Sequence, residues 1–274
     1  MPRPIVTFLS DFGTQDWFVG VVHGVIQTVA PDAHVVDLNH TIPPGHIARG
    51  AFVLEAAAHD FPPDTIHLAV VDPGVGTRRR ALAVRARHQF FVGPDNGLLE
   101  WALSDPEAVV HELVEERWFR RPVSRTFHGR DIFAPVAGHI TRGVPLEAFG
   151  PAVTDPVRLP QAHPVLRDGE LVGRVVFIDR FGNALTNLTS RAIADAFGAD
   201  AADETFAVRL LERPVGALAR SYGDAPVGTI VAIIGSSGRL EIAQVGGDIA
   251  ERHGIGEGDP VSLRVTSHPT STSR

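Results

Sequence analysis

The sequence predicts an α/β protein. An N-terminal α/β domain with a mainly parallel sheet occupies residues 1–160, and a smaller all-β, barrel-like domain follows over residues 161–274. Three observations lead there. Short apolar runs alternate with apolar residues at helical spacing through the first half, the pattern of a parallel sheet covered by helices. Pro151, Pro156, Pro160 and Pro164 crowd one stretch with few helix formers between them, which reads as a linker. From Leu171 onward, strand-like runs separated by glycine turns dominate, as in a compact antiparallel barrel or sandwich.

Each element has its own signal. Ile5–Leu9 is a β run that ends at Ser10-Asp11-Phe12-Gly13. Phe18–Val29 carries Val21, Val22, Val25, Ile26 and Val29 at helical spacing, and Pro31-Asp32 stops it. His34–Leu38 is the next strand, and Ile47–Ala58 is an Ala-rich helix broken by Phe61-Pro62-Pro63. Ile66–Val71 is apolar throughout, as a buried strand is, and ends in a turn at Asp72. Ala81–Ala86 and Gln89–Val92 pair as a hairpin around Arg87-His88. Leu98–Leu103 opens a further helix, and Phe133–Ile140 and Leu146–Phe149 extend the pattern to about Gly150. In the second half the strands are Leu171–Ile178, Thr205–Leu210, Thr229–Ile234, Leu240–Gln244 and Val261–Val265, with Ser190–Ala196 the one helix. Thr266–Arg274 reads as a polar, frayed tail.

Composition narrows the function. A formal net charge of −7 and the lack of any basic run denser than Arg78-Arg79-Arg80 argue against a nucleic-acid binder. With no cysteine, disulfides, thiolate nucleophiles and Cys-ligated zinc are excluded. No apolar stretch is long enough to span a bilayer, and Met1–Ile5 lacks a signal-peptide layout, so a cytoplasmic protein is expected.

Six polar stretches carry chemistry, and each also has a plainer reading. Ser10-Asp11-Phe12-Gly13 stands at the carboxyl end of the first strand, where ligands of open α/β sheets bind; Asp11 or Asp16 would equally serve as N-cap of the helix from Phe18. Val71-Asp72-Pro73-Gly74-Val75-Gly76-Thr77-Arg78-Arg79 makes a sharp turn that brings a carboxylate within reach of a guanidinium. As an exposed ion pair it would contribute only about 0–1 kcal/mol. Pro94-Asp95-Asn96-Gly97 is a strong turn signal in which Asn96 supports either the neighbouring loop or a ligand. In Phe127-His128-Gly129-Arg130-Asp131 the histidine has little steric shielding; it is a site residue or simply exposed, and Asp131 is a candidate cap for the next helix. In Asp179-Arg180-Phe181-Gly182-Asn183, Phe181 is suited to stacking on a flat base and Asn183 to reading its edge, unless this is only a hairpin loop. Gly235-Ser236-Ser237-Gly238, ahead of Glu241, is a hairpin tip.

In order and spacing these stretches resemble the S-adenosylmethionine hydrolases (S-adenosylmethionine hydroxide adenosyltransferases), which are related to the fluorinase and chlorinase enzymes. The likeness runs from about Ile5 to Val265. Asp72, Arg79 and His128 resemble the hydrolase set, whereas the fluorinase pattern has Tyr at Asp72, Thr at Val75, Tyr-Ser at His128-Gly129 and an insertion near residues 85–90. Gly45 departs from a fluorinase-type tryptophan, and Ser237 from an arginine.

The resemblance implies hydrolysis of S-adenosyl-L-methionine to adenosine and L-methionine, with no cofactor and no metal. Asp72, Arg79 and His128 would hold the attacking water. Asp11 would bind the ribose diol, Asp16, Asp179 and Ser236 the methionine end, and Phe181 and Asn183 the adenine. Phe12, Asn96, Ser237 and Glu241 complete the expected substrate contacts. A guanidinium beside Asp72 weakens it as a base, so the base is left unassigned between Asp72 and His128. The resemblance also implies a homotrimer with sites at subunit interfaces. Two other readings stand beside it: a non-catalytic nucleoside sensor, and a metal-dependent hydrolase built on Asp11, Asp72, Asp95, His128 and Asp131.

Overall fold

The computed structural model describes residues 3–160, 163–198, 206–211 and 213–266. One unit, Met1–Pro160, contains β1 (Ile5–Ser10), α1 (Phe18–Val29), β2 (His34–Asn39), α2 (Ile47–Ala58), β3 (Ile66–Val70), β4 (Ala81–Ala86), β5 (Gln89–Pro94), α3 (Glu100–Leu103), β6 (Val109–Glu112) and α4 (Ala134–Thr141). Its strands order as β2-β1-β3-β5-β4-β6. The first four are parallel, and β4 runs antiparallel to both β5 and β6.

Period-two alternation feeds a core on each face of this sheet. Val6, Phe8, Ile66, Leu68 and Val70 meet Val22 and Ile26 of α1 and Ala134 and Ala137 of α4. Leu9, Ala69 and Val71 meet Leu54 and Ala58 of α2 and Ala102 and Leu103 of α3. The chain leaves β1 for β2 on one side, then returns to place β3 on the other side of β1. Between strands that depart in opposite directions a crevice opens at their carboxyl ends. Asp11 follows β1 there, and Asp72 follows β3.

Three local readings are corrected. Helix α1 begins after Trp17 with no side-chain cap, so neither Asp11 nor Asp16 caps it. Asp131 does not cap a following helix: it lies inside a π-helical turn, Gly129–Phe133, fully buried and paired with Arg130 and Arg120. The helix opening at Leu98 starts only at Glu100. The β4–β5 hairpin forms as expected, with Arg87 and His88 at φ 52° and 61°, the left-handed pair that matches the twist of flanking strands.

The other unit, Gln161–Arg274, contains β7 (Val165–Arg167), β8 (Glu170–Ile178), β9 (Ala184–Thr189), α5 (Ser190–Phe197), β10 (Phe206–Leu210), β11 (Arg213–Ala217), β12 (Ile230–Ile234), β13 (Arg239–Gln244), α6 (Ile249–His253) and β14 (Pro260–Val265). Its antiparallel sheet orders as β11-β10-β14-β8-β9-β13-β12, with β7 on β8. A bridge between Leu218 and Ala232 brings the two end strands together, so the sheet nearly closes as a barrel. Helix α6 makes a second helix in this unit, where one was expected; Asp248 caps it by accepting from Glu251 N at 2.7 Å, and Gly254 ends it in the left-handed region. Thr205 and the tail from Ser267 lie outside the described residues.

Leu68, at the centre of β3, is fully buried. Leu68→Ala is expected to destabilise the N-terminal unit by about 2–5 kcal/mol, measured by urea denaturation followed by circular dichroism.

Candidate active site

The crevice at the ends of β1 and β3 is a cavity of about 300 Å³ lined by Asp11, Phe12, Phe18, Val70, Asp72, Val75, Thr126, Phe127, His128 and Gly129. Phe12, Phe18 and Phe127 form one wall, their ring centroids 5.3–6.0 Å apart. Gly129 leaves room for this wall, because a Cβ there would stand 3.1 Å from the Phe12 ring. Opposite requirements meet at Gly76, which sits at φ +76° and where a Cβ would lie 2.2 Å from Arg125 O. Only glycine lets the Asp72–Arg79 turn close against the segment that leads to His128.

Asp72 and Arg79 form no surface pair: their side chains are 5% and 10% exposed. Arg79 Nε donates to both Asp72 oxygens at 3.0 Å, and Nη2 donates to Asp72 Oδ2 as well. The same Nη2 lies 2.9 Å from His128 Nδ1, while Nη1 donates to Arg80 O at 3.3 Å. The guanidinium also lies 5.1 Å from the centroid of the buried Phe133 ring. Arg79 therefore stands behind the cavity and joins Asp72 to His128, rather than lining it.

That geometry fixes a proton. A guanidinium has only donors, so His128 Nδ1 must be the acceptor, and the neutral ring carries its hydrogen on Nε2. Burial and then the Arg79 charge hold His128 below the usual histidine range, which keeps it neutral at neutral pH. Asp11 shifts the other way. Burial raises it, and Asp72 adds to this, although Asp11 Oδ2 accepts the Gly45 N–H at 2.8 Å.

The remaining N-terminal candidates lie elsewhere. Asp16 is exposed on the loop before α1 and does not line the cavity. Asn96 Nδ2 donates to Val71 O at 2.9 Å and its Oδ1 accepts from Leu98 N at 3.1 Å, so it buttresses the strand end that delivers Asp72. Asp95 pairs with Arg80 and Asp131 with Arg130 and Arg120. Asp11, Asp72, Asp95, His128 and Asp131 thus form no common ligand cluster among the described residues.

The barrel unit carries a second polar group of its own. Asp179 Oδ1 accepts from Phe181 N at 2.8 Å and Asn183 N at 2.9 Å, and Oδ2 accepts from Asn183 Nδ2 at 2.9 Å. This turn holds Asn183 buried and thrusts Phe181 out, 75% exposed. Ser236 and Ser237 stand at the β12–β13 tip. Buried Glu241 accepts the Tyr222 hydroxyl. Burial, and then nearby Asp179, raise the Glu241 carboxyl, while burial and Glu241 push the Tyr222 phenol up. Tyr222 is absent from the sequence-based set; it is the only tyrosine in the chain, a signal that marks it without giving it a role. Phe18, Phe127 and Val75 also line the cavity without a sequence signal, since apolar positions beside a site look like core, and Thr126 looks like any exposed loop residue.

Arg79→Gln removes a positive charge from His128 and releases the Asp72 carboxylate beside it. Both changes favour the imidazolium. The His128 titration midpoint is therefore expected to rise in this variant, followed by NMR of the ring protons.

Residues 6–150 match the SAM hydroxide adenosyltransferase N-terminal domain and residues 173–262 its C-terminal domain. An (R)-S-adenosyl-L-methionine hydrolase of Salinispora arenicola is 40% identical over 269 residues, covering 96% of this chain and 98% of its own. The protein of the same name from Thermus thermophilus is 43% identical over 275 residues, covering 95% and 99%. Among solved structures, an uncharacterized conserved protein from Thermotoga maritima superposes with a TM-score of 0.87 at 35% identity, covering 94% of this chain and 99% of its own. With both domains matched in order, on a fold whose crevice gathers Asp11, Asp72 and His128, the chain belongs to the SAM hydroxide adenosyltransferase family.

Proposed function

We propose that this protein hydrolyses S-adenosyl-L-methionine to adenosine and L-methionine by in-line attack of water on ribose C5′. The observation that carries the reading is the Asp72–Arg79–His128 chain of contacts at the wall of a cavity that also holds Asp11. The water oxygen bonds to C5′ as the C5′–S bond breaks. Methionine then leaves as a neutral thioether that needs no proton, so the site needs no general acid.

The difficulty lies in the nucleophile, since free water has a pKa of about 15.7. Asp72 Oδ1 accepts only from Arg79 Nε and keeps a lone pair free, so Asp72 can accept one water hydrogen there. His128 Nε2–H can donate to the same water. Those two contacts leave a lone pair of the oxygen for C5′. As the C–O bond forms, the oxygen becomes strongly acidic, and a carboxylate held by arginine is base enough to take its proton. Asp72 is therefore the acceptor in this reading and His128 the orienting donor. Fixing a nucleophile in line contributes roughly 7–11 kcal/mol at best.

On the same reading Asp11 accepts the ribose hydroxyls and Phe12 closes the cavity wall. Asp179, Phe181, Asn183, Ser236, Ser237 and Glu241 come from a neighbouring copy in a homotrimer, with Asp16 near the methionine end and Asn96 supporting the Asp72 loop. Support for a neighbour comes from Phe181, a large apolar ring left 75% exposed in the single chain. The reaction needs no cofactor, no nucleic acid and no membrane, and the enzyme works in the cytoplasm beside its substrate. No helix among the described residues is long and apolar enough to cross a membrane.

Incubation with S-adenosyl-L-methionine is expected to yield adenosine and methionine in equal amounts, followed by chromatography, and to continue in the presence of a chelator. Tight calorimetric binding with the ligand left intact would instead mark a sensor. Asp72→Asn and His128→Ala are expected to lower kcat by about 10²–10⁴-fold. KM should stay within about threefold, because a water-holding group acts in the transition state rather than in substrate binding. Equal losses in kcat and in affinity would overturn that role.

A further inference from the structure

We infer that His23, Asp37 and His40 form a zinc site separate from the reaction centre. His23 Nε2 lies 2.8 Å and His40 Nε2 2.9 Å from Asp37 Oδ1, and all three ligand atoms fall within 4.8 Å of one another. The backbone brings them together. The β1–β2 register runs Phe8 to Asp37 and then Leu9 to Asn39, so a bulge at Leu38 re-aims the strand end. His23 reaches across from α1, beside the buried Val22 and one turn before the buried Ile26.

The second observation is His40 itself. Its side chain is 4% exposed, and Nε2 is buried with no aligned hydrogen-bond partner even though it faces the Asp37 oxygen. The buried His40 nitrogen and His23 Nε2 thus converge on the same Asp37 oxygen, and a metal ion would draw all three as ligands. The other ring nitrogen, Nδ1, lies 2.7 Å from Ser10 Oγ, the kind of outer contact that fixes the tautomer and aim of a metal-binding histidine. Two imidazoles and a carboxylate suit Zn²⁺ with a water in the fourth position. Zinc bonds of about 2.0–2.1 Å in a tetrahedron put ligand atoms about 3.3 Å apart, so the present 2.8 and 2.9 Å separations need to open by only about half an ångström. The Asp37 side chain is 43% exposed, so the cluster is open to solvent on one side, which gives an ion a route in.

The site would brace α1 against β2 and the loop that carries Asp11. His40 O accepts the Gly13 N–H at 2.7 Å, and Ser10 directly precedes Asp11. Zinc there acts on the stability of that corner and takes no part in the attack on C5′.

The test uses the full chain without an affinity tag, stripped with a chelator and titrated with Zn²⁺ by calorimetry. One ion per chain is expected, with a thermal midpoint raised by roughly 5 °C at hundredfold excess over Kd. His23→Ala and Asp37→Asn should each weaken binding by about tenfold or more, while His34→Ala, an exposed neighbour on β2, should leave it unchanged. Both ligand variants alter partly exposed side chains, so the test does not depend on replacing buried His40. Absence of saturable binding, or binding equally strong in His23→Ala and Asp37→Asn, would overturn the assignment.

Discussion

The contact on which the rest depends is the one from Arg79 to two partners at once. Its guanidinium is a rigid fork with donors on several edges. One edge takes Asp72, and Nη2 also reaches His128. Removing either member of the Asp72–Arg79 pair leaves a buried charge without its partner, which typically costs several kcal/mol more than an exposed pair would contribute. The same fork decides the chemistry available on the cavity side. With Nδ1 occupied, His128 offers a hydrogen, and Asp72 is left as the acceptor beside it.

Topology supplies this contact cheaply. Asp72 needs only the end of a buried parallel strand, and Arg79, seven residues on, only the return of a turn that closes where Gly76 lets it. His128 arrives from much further along the chain, just before a π-helical turn. Widening of a helical turn often marks a functional site because it displaces the residues beside it. Here it also buries Asp131, whose two arginine partners pin the loop from Arg120 to Arg130. The scaffold under the site is thus rigid strand and ion-paired loop, with the aromatic wall packed in front of it.

Much of this was legible in the residues. Apolar periodicity placed α1 and α2 to the residue and the central strands to within one or two, because these segments are buried on faces that match their period. Short β6 (Val109–Glu112) was not legible, having only four residues and no turn signal of its own. Nor was β11, where Pro214 and Gly216 give no strand signal but are tolerated on a strand at the end of the sheet order. Helix α6 was legible in principle: Asp248, Glu251 and Gly254 are a cap, a first-turn acid and a left-handed stop around a short apolar pair. At the site, turn chemistry marked the Asp72–Arg79 pair, whereas His128 joined it only through the family resemblance. That Arg79 stands behind the cavity, and that Asn96 serves the backbone, depended on side-chain direction, which spacing alone does not carry.

The charge balance of the cavity gives a last reason for the proposed nucleophile. Asp11 and Asp72 both border it, His128 is held neutral, and the one cation in the chain of contacts, Arg79, is turned toward Asp72 rather than into the space. Two carboxylates against one arginine leave the walls net negative, by formal charge. A sulfonium substrate is drawn into such a site, and its charge is lost only when the C–S bond breaks. An anionic nucleophile meets repulsion from the same walls, strengthened by their burial. Water carries no charge to repel and has hydrogens that Asp72 can accept. On the proposed reading, the carboxylate at position 72 therefore favours water over a halide as the nucleophile.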